Sequence, residues 1–497
     1  MTKQAIERLD SAESHDRMSA IETLTKLDHP LAYQTLIEAL RHPLLDVRTR
    51  VAIRLAQVKE TKAISILLEV IRDGYRDENS ILLGSPDKAL RQMGNVAIPD
   101  LLEALHNNDK SIRRCAAQAL GEIGDAISVP ELLEALHDED ENVRESAAKA
   151  LGRIGDNSAL PGLLEALYDN YVNVRMEATE ALGRIGDASA VPDLLKSLSG
   201  DGGIKHVAAK ALGRIGDASA VPGLLEALND KDDEVKESAI EALGEIGDAT
   251  AVLGLLELLN DVDINKVFDT KNRIELQLEY LALSNDVANT LVKIGDAAVP
   301  DLVDALHRKN WNKREKVIEI LGDIGNAAAV PDLLEILREE SFLRKKAIEA
   351  ILKIGDAAAL PGVLEALKYN DLDVRKMAIK ALMKIGDATV VPGLLEALKN
   401  DKDSFVRINV SELLGKIGDT TAVSGLLEAI KNDGDQEVLR SAARALVKMG
   451  DAAVPDLINA LQDEKISTRR KGIIANSLRQ IGTPEALAAF NTRYHNK

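Results

Sequence analysis

One glycine recurs along this chain about every 31 residues, and that period limits the possible folds more than any other feature. It follows Ile or Met and usually precedes Asp, at Gly94, Gly124, Gly155, Gly186, Gly216, Gly247, Gly295, Gly325, Gly355, Gly386, Gly418, Gly450 and Gly482. Successive spacings are 30–32 residues, apart from 48 between Gly247 and Gly295. Two degenerate copies come first, with Asp28 and Lys59 in the glycine slot. At roughly 100–200 residues per domain, 497 residues would suggest several globular domains. A short repeat overrules that prior, because each unit stacks only on its neighbours. The count predicts 15 units and a short tail helix.

The unit Pro130–Asp156, PELLEALHDEDENVRESAAKALGRIGD, shows what each position is for. Val129, Leu132, Leu133 and Leu136 are spaced i, i+3, i+4, i+7, one face of a helix, here called A. Val143, Ala147, Ala148, Leu151 and Ile154 form a second helical stripe, helix B. The polar HDEDEN between them has room only for a turn. Gly155 closes helix B, where a left-handed residue is wanted and glycine adopts it without steric cost. Pro161 suits the first turn of the next A helix, whose N–H groups lack partners anyway. Ten of the 14 prolines occupy this slot. Asp156 and its equivalents are expected to accept backbone N–H bonds near the next helix start. A loop with one glycine, repeated many times, reads as structural and not as a phosphate cradle.

A helix pair of about 31 residues, with D-x-x-x-V-R in the A–B turn and A-L-G-x-I-G-D closing helix B, resembles the HEAT family. More narrowly, it resembles the short HEAT-like repeats of the phycobilin lyase (PBS lyase) type. The resemblance implies an all-α, right-handed α-solenoid of about 15 HEAT-like helix pairs, with A helices outside and B helices lining the concave side. For function it implies little, because this architecture serves scaffolds, adaptors and a few enzymes. The expected organisation is degenerate N-terminal repeats over 1–93 and regular repeats over 94–261. An insertion in one A–B turn follows over 262–278, then C-terminal repeats with a capping helix over 279–497.

Charges repeat as well. A basic residue stands eleven before the glycine slot in twelve units, among them Arg17, Arg113, Arg144, Lys205, Arg344, Arg375 and Arg407. An acid often precedes it by four, as Asp109, Asp140, Asp371 and Asp403 do. Such pairs are expected to link neighbouring units as a ladder. The row breaks at Leu83, Ser284 and Leu439. Helix A carries an acidic row, including Glu103, Glu134, Glu165, Glu226, Glu335, Glu365, Glu396 and Glu428. Helix B ends in a basic row, including Arg153, Arg184, Arg214, Lys353, Lys384, Lys416 and Lys448. Cations near a helix C-terminus complement its dipole. The sharper expectation is that Lys353, Lys384 and Lys416 face an acidic partner.

Only 12 residues are aromatic. Trp311, Phe342, Tyr369 and Phe405 fall in the A–B turns of four consecutive units, and Phe268 lies in the insertion before them. Aromatics on polar turns are candidate binding anchors; the structural alternative is that each folds over its own turn.

The 81 acidic and 62 basic residues give a net charge of −19, which opposes a dedicated nucleic-acid binder. None of the eight histidines is followed by Glu, as the metal-binding motifs of deoxyhypusine hydroxylase, a HEAT-repeat enzyme, require. No G-x-S-x-G, Walker A or dinucleotide fingerprint occurs. No catalytic, cofactor-binding or metal-binding residues are therefore expected. The single cysteine, Cys115, excludes an internal disulfide, and no apolar run is long enough to span a membrane or act as a signal peptide. A cytoplasmic location follows as an expectation. The expected function is a non-catalytic protein–protein scaffold or adaptor that binds a protein through its concave face and A–B rim. The alternatives are a lyase-type or other enzyme accessory subunit, and nucleic-acid binding along the basic B row.

Overall fold

The computed structural model describes residues 2–27, 29–72, 86–200, 203–261, 273–308, 313–339 and 342–495. Among them every regular element is helical. The chain is an all-α solenoid of stacked helix pairs, organised as two compact units, Met1–Ala251 and Val252–Lys497. The first unit holds eight pairs, from Thr2–Arg8 with Ser14–Lys26 to Val221–Ala227 with Asp233–Ile246. The second holds seven, from Val252–Asp261 with Arg273–Ile294 to Val454–Gln462 with Thr468–Ile481, and ends in the single helix Pro484–His495. Of the expected insertion, residues 262–272 lie outside the described residues. Its last six open the 22-residue helix Arg273–Ile294.

In the unit read above, helix A spans Val129–Ala135 and helix B spans Glu141–Ile154. Val129, Leu132, Leu136, Val143, Ala147, Ala148 and Leu151 are buried. Leu133 and Ile154 are half-buried in the stacked array. Leu133 packs on the next A helix, where a Cβ on Gly162 would lie 2.5 Å from its Cδ2. Each pair therefore leaves apolar surface that only a neighbour covers, which is why the array stacks.

The caps follow the sequence reading. Gly155 is left-handed, with φ 72°, and its N–H bonds Leu151 O. Asp156 accepts from Ser158 N and starts a one-turn 3₁₀ helix that leads into the next A helix. Twelve of the thirteen period glycines have positive φ. Gly386 is the exception, and its expected left-handed conformation is corrected: φ is −67° and ψ 140°. Glycine is required there for a different reason, since a Cβ would lie 2.3 Å from Leu382 O. In the degenerate second repeat Lys59 takes the left-handed slot itself, with φ 60°.

The two helix rows pack differently. A glycine three residues before the period glycine brings successive B helices into backbone contact. A Cβ on Gly121, Gly152, Gly183, Gly213, Gly322 or Gly415 would lie 2.5–2.8 Å from the Cα of an alanine in the next B helix. Successive A helices meet through leucine side chains, as Leu195 meets Gly223 and Leu364 meets Gly393.

Candidate functional site

The expected ladder exists, but its acid is not the expected one. Asp109, Asp140, Asp371 and Asp403, four before the basic residue, cap their own B helices by accepting from the N–H two residues on. The commonest ladder partner is the acid six before the basic slot of the following unit, whereas Arg17 bonds Asp46, two before Arg48. Arg113 bonds Asp138, Arg144 bonds Asp169, Lys205 bonds Asp230, Arg375 pairs with Asp401 and Arg407 bonds Asp433, at 2.6–3.1 Å. The arginines also donate Nη1 to carbonyls of their own turn, as Arg144 does to Asp138 O and Glu139 O. One guanidinium thus closes its own A–B turn and fastens the next. Leu439 breaks the row, and Arg470 from the following unit donates to Lys431 O and Asp433 O, on the turn that Leu439 leaves uncovered.

These contacts shift carboxylates. Burial is the largest influence on Asp138 and Asp169 and pushes them up, but the hydrogen bonds and charges of Arg113 and Arg144 together with backbone N–H bonds outweigh it, and both lie below the ordinary range. The Lys110 ammonium holds Asp140 down to about 2. Hydroxyls two residues on lower Asp156, Asp187, Asp217, Asp248, Asp387 and Asp419 in the B–A loops. A carboxylate whose folded pKa lies below its unfolded value near 4 stabilises the fold above pH 4 and stops doing so as pH falls through the folded value. The urea midpoint should therefore be flat from pH 7 to about 5 and fall steadily between about pH 4 and 2. Equilibrium denaturation followed by circular dichroism tests this. A midpoint that rises on acidification contradicts it.

The candidate contact residues fall into three groups. Phe268 and Trp311 lie outside the described residues. The three lysines are exposed, and each is engaged with the preceding repeat. Lys353 bonds Asp323 at 2.5 Å, Lys384 donates to Leu352 O at 2.7 Å, and Lys416 donates to Met383 O at 2.6 Å. Lys384 and Lys416 satisfy carbonyls at the end of the neighbouring B helix, groups that an isolated helix leaves unpaired. Among the aromatics, Tyr369 occupies the ladder-acid slot, and Arg344 stacks over its ring at 4.4 Å from the centroid. Burial raises its phenol pKa. Phe405 is 46% exposed, with Lys376 Nζ 5.1 Å from its ring centroid. Phe342 is 70% exposed, the most exposed large apolar side chain among the described residues.

The acidic A row is exposed at Glu103, Glu134, Glu165, Glu226, Glu335, Glu365, Glu396 and Glu428. In the second unit Arg338 pairs with Glu365 and Lys368 with Glu396, each from one repeat earlier. No metal-binding residue is expected from the sequence, and His307 ends the A helix Val299–His307. The structure sets its Nε2 2.9 Å from Asp332 Oδ1, with Glu335 beside them. The signal was available as a 25- and 28-residue offset, but periodic acids offer many such offsets and only packing selects one. Cys115 is buried. Among the described residues no helix is long and apolar enough to cross a membrane.

The sequence matches the family model described as HEAT repeats over residues 2–81, 98–172, 129–203, 198–266, 286–351, 341–415, 391–476 and 423–497. No curated protein matches it. Among solved structures, the chain is similar to importin beta crystallised from ammonium sulfate, at 16% identity and TM-score 0.41, covering 97% of this chain and 74% of that one. It is similar to Kap95p in a RanGDP complex at 15% identity and TM-score 0.43, covering 99% and 72%. It is also similar to Kap121p at 13% identity and TM-score 0.46, covering 94% and 56%.

Proposed function

Because the chain belongs to the HEAT-repeat family, we propose that it is a non-catalytic scaffold or adaptor that holds a protein partner along its concave face and A–B turn rim. The observation that carries this reading is the row of aromatics on polar turns. Phe342 is exposed, and Tyr369 lies on the next turn; Phe405, expected in the turn after that, instead sits in the first turn of the helix Ser404–Ile417 beside it. An exposed aromatic on a charged turn offers large apolar area at low entropic cost to a partner. Tyr369 is the weaker anchor, since Arg344 already covers one face of its ring. Trp311 and Phe268 extend the same set by sequence position. Lys353, Lys384 and Lys416 serve as its charged margin.

The nucleic-acid alternative has less support, because those three lysines spend their charge on an aspartate and on helix-end carbonyls of this chain. A lyase-type accessory role rests only on the repeat resemblance. The lone, buried Cys115 fits a reducing compartment, and the cytoplasm is proposed as the location.

The test is affinity capture from native lysate, with and without nuclease, using the wild-type chain and the double variant Phe342→Ala/Phe405→Ala. A stoichiometric protein should co-purify with the wild type, survive nuclease and be lost from the variant, with little change in melting temperature. Retained capture with a large melting shift would assign the aromatics to the fold. An eluate of nuclease-sensitive material would replace the reading with nucleic-acid binding.

A further inference from the structure

We propose that His307, Asp332 and Glu335 form a binding site for a borderline divalent metal ion, Zn²⁺ being the best fit, that staples two consecutive repeats. His307 ends the A helix Val299–His307, and Asp332 and Glu335 lie three residues apart on the next A helix, Val330–Glu339. One donor atom from each lies within 4.8 Å of the other two. Among the described residues only this set brings three such donors together. A tetrahedral zinc ion with bonds of about 2.0–2.2 Å holds its ligand atoms roughly 3.3–3.6 Å apart. The His307–Asp332 pair, at 2.9 Å, needs to open by a few tenths of an ångström. The third donor needs to close by about 1.5 Å at most, which side-chain rotation at an exposed glutamate supplies.

The chemistry selects the ion. One imidazole with two carboxylates suits zinc and its transition-metal neighbours, whereas magnesium and calcium prefer all-oxygen sets. Three protein donors leave a fourth position for water. Charge points the same way. In the following repeats the equivalent position carries a cation that answers the next acid, as Arg338 does for Glu365 and Lys368 for Glu396. At His307 an imidazole, which can offer a ring-nitrogen lone pair to a metal, takes the place of that cation and faces two carboxylates. Among the described residues Glu335 has no ion-pair partner.

Other repeats provide comparisons. His106 has Glu131 and Glu134 at the same offsets of 25 and 28 residues. There Glu131 Oε2 is buried without a hydrogen-bond partner, although the three donors do not converge. His137 has Gly162 and Glu165, so the first carboxylate is missing.

The site is tested by titrating the full chain with zinc chloride at pH 7.5 by calorimetry, beside His307→Ala, Glu335→Gln and His137→Ala. The wild type should show one equivalent in the micromolar range. His307→Ala should weaken it at least tenfold, Glu335→Gln should weaken it several-fold, and His137→Ala should leave it unchanged. Zinc should raise the melting temperature of the wild type and not of His307→Ala, while magnesium at the same concentration does neither. All the substituted side chains are at the surface, and circular dichroism checks that each variant is folded. Equal zinc affinity in wild type and His307→Ala overturns the proposal, as does the absence of any equivalent tighter than about 1 mM.

Discussion

Gly152→Ala should destabilise the protein although alanine is the better helix former. By propensity alone the change favours helix B by about 1 kcal/mol. Packing reverses the sign. The new Cβ would lie 2.6 Å from both Cα and Cβ of Ala181 in the next B helix, and the Cα cannot rotate away. The two helices must separate, which uncovers the seam along buried Ala148, Leu151, Ala178 and Leu182. Overpacking of this kind costs roughly 1–3 kcal/mol, and a clash with backbone puts it toward the upper end, so the net loss after the propensity gain should be about 1–2 kcal/mol. Gly472→Ala is the control. Gly472 lies inside the helix Thr468–Ile481 and no atom would come within 4 Å of its Cβ. That substitution should stabilise by about 0.5–1 kcal/mol. Urea midpoints of the two variants should move in opposite directions. Two shifts of the same sign would refute the account of the B-helix seam.

Arg144→Ala should be the other costly substitution. Its guanidinium is nearly enclosed, with 12% of the side chain exposed, and so is Asp169. The change leaves that carboxylate without its cation and leaves Asp138 O and Glu139 O without Nη1. Hydrogen bonds to charged groups are worth about 1.5–3 kcal/mol each, and stranding one member of an enclosed pair costs more than removing both. A loss of roughly 2–4 kcal/mol is expected. The double variant Arg144→Ala/Asp169→Ala should recover part of it, because no unpaired carboxylate remains. The native chain already contains a related exchange, since Tyr369 replaces the ladder acid and Arg344 stacks on it. A double variant no more stable than Arg144→Ala would mean that the turn carbonyls, and not the ion pair, carry the effect.

The sequence reading succeeded and failed along a clear line. It placed the helix pairs and their number, with a positive φ at every period glycine but Gly386, and it identified the ladder base. It misassigned the ladder acid, because Asp140 and Asp138 lie two residues apart in the same turn and both recur with the period. Asp140 caps its own helix through the N–H of Asn142 and meets Lys110, not the row arginine, from the preceding repeat. Asp138 is left to face Arg113 from the preceding repeat, so its role is tertiary. The basic B row was expected to act on its own helix dipole or on a partner. Lys384 and Lys416 instead answer the helix end one repeat earlier.

What sequence alone determined is everything decided within about six residues: where each helix starts on Asp and Pro, where it stops on glycine, and which face is apolar. Those choices depend on backbone hydrogen bonds and φ preferences that a short segment carries with it. Tertiary structure alone decided which residues meet at separations of 25 to 33, including Arg144 with Asp169, Lys416 with Met383 O and His307 with Asp332. In a periodic chain each cation has several acids at nearly equal offsets. The close Gly–Ala approach of the B helices sets the stagger between repeats, and that stagger chooses among them.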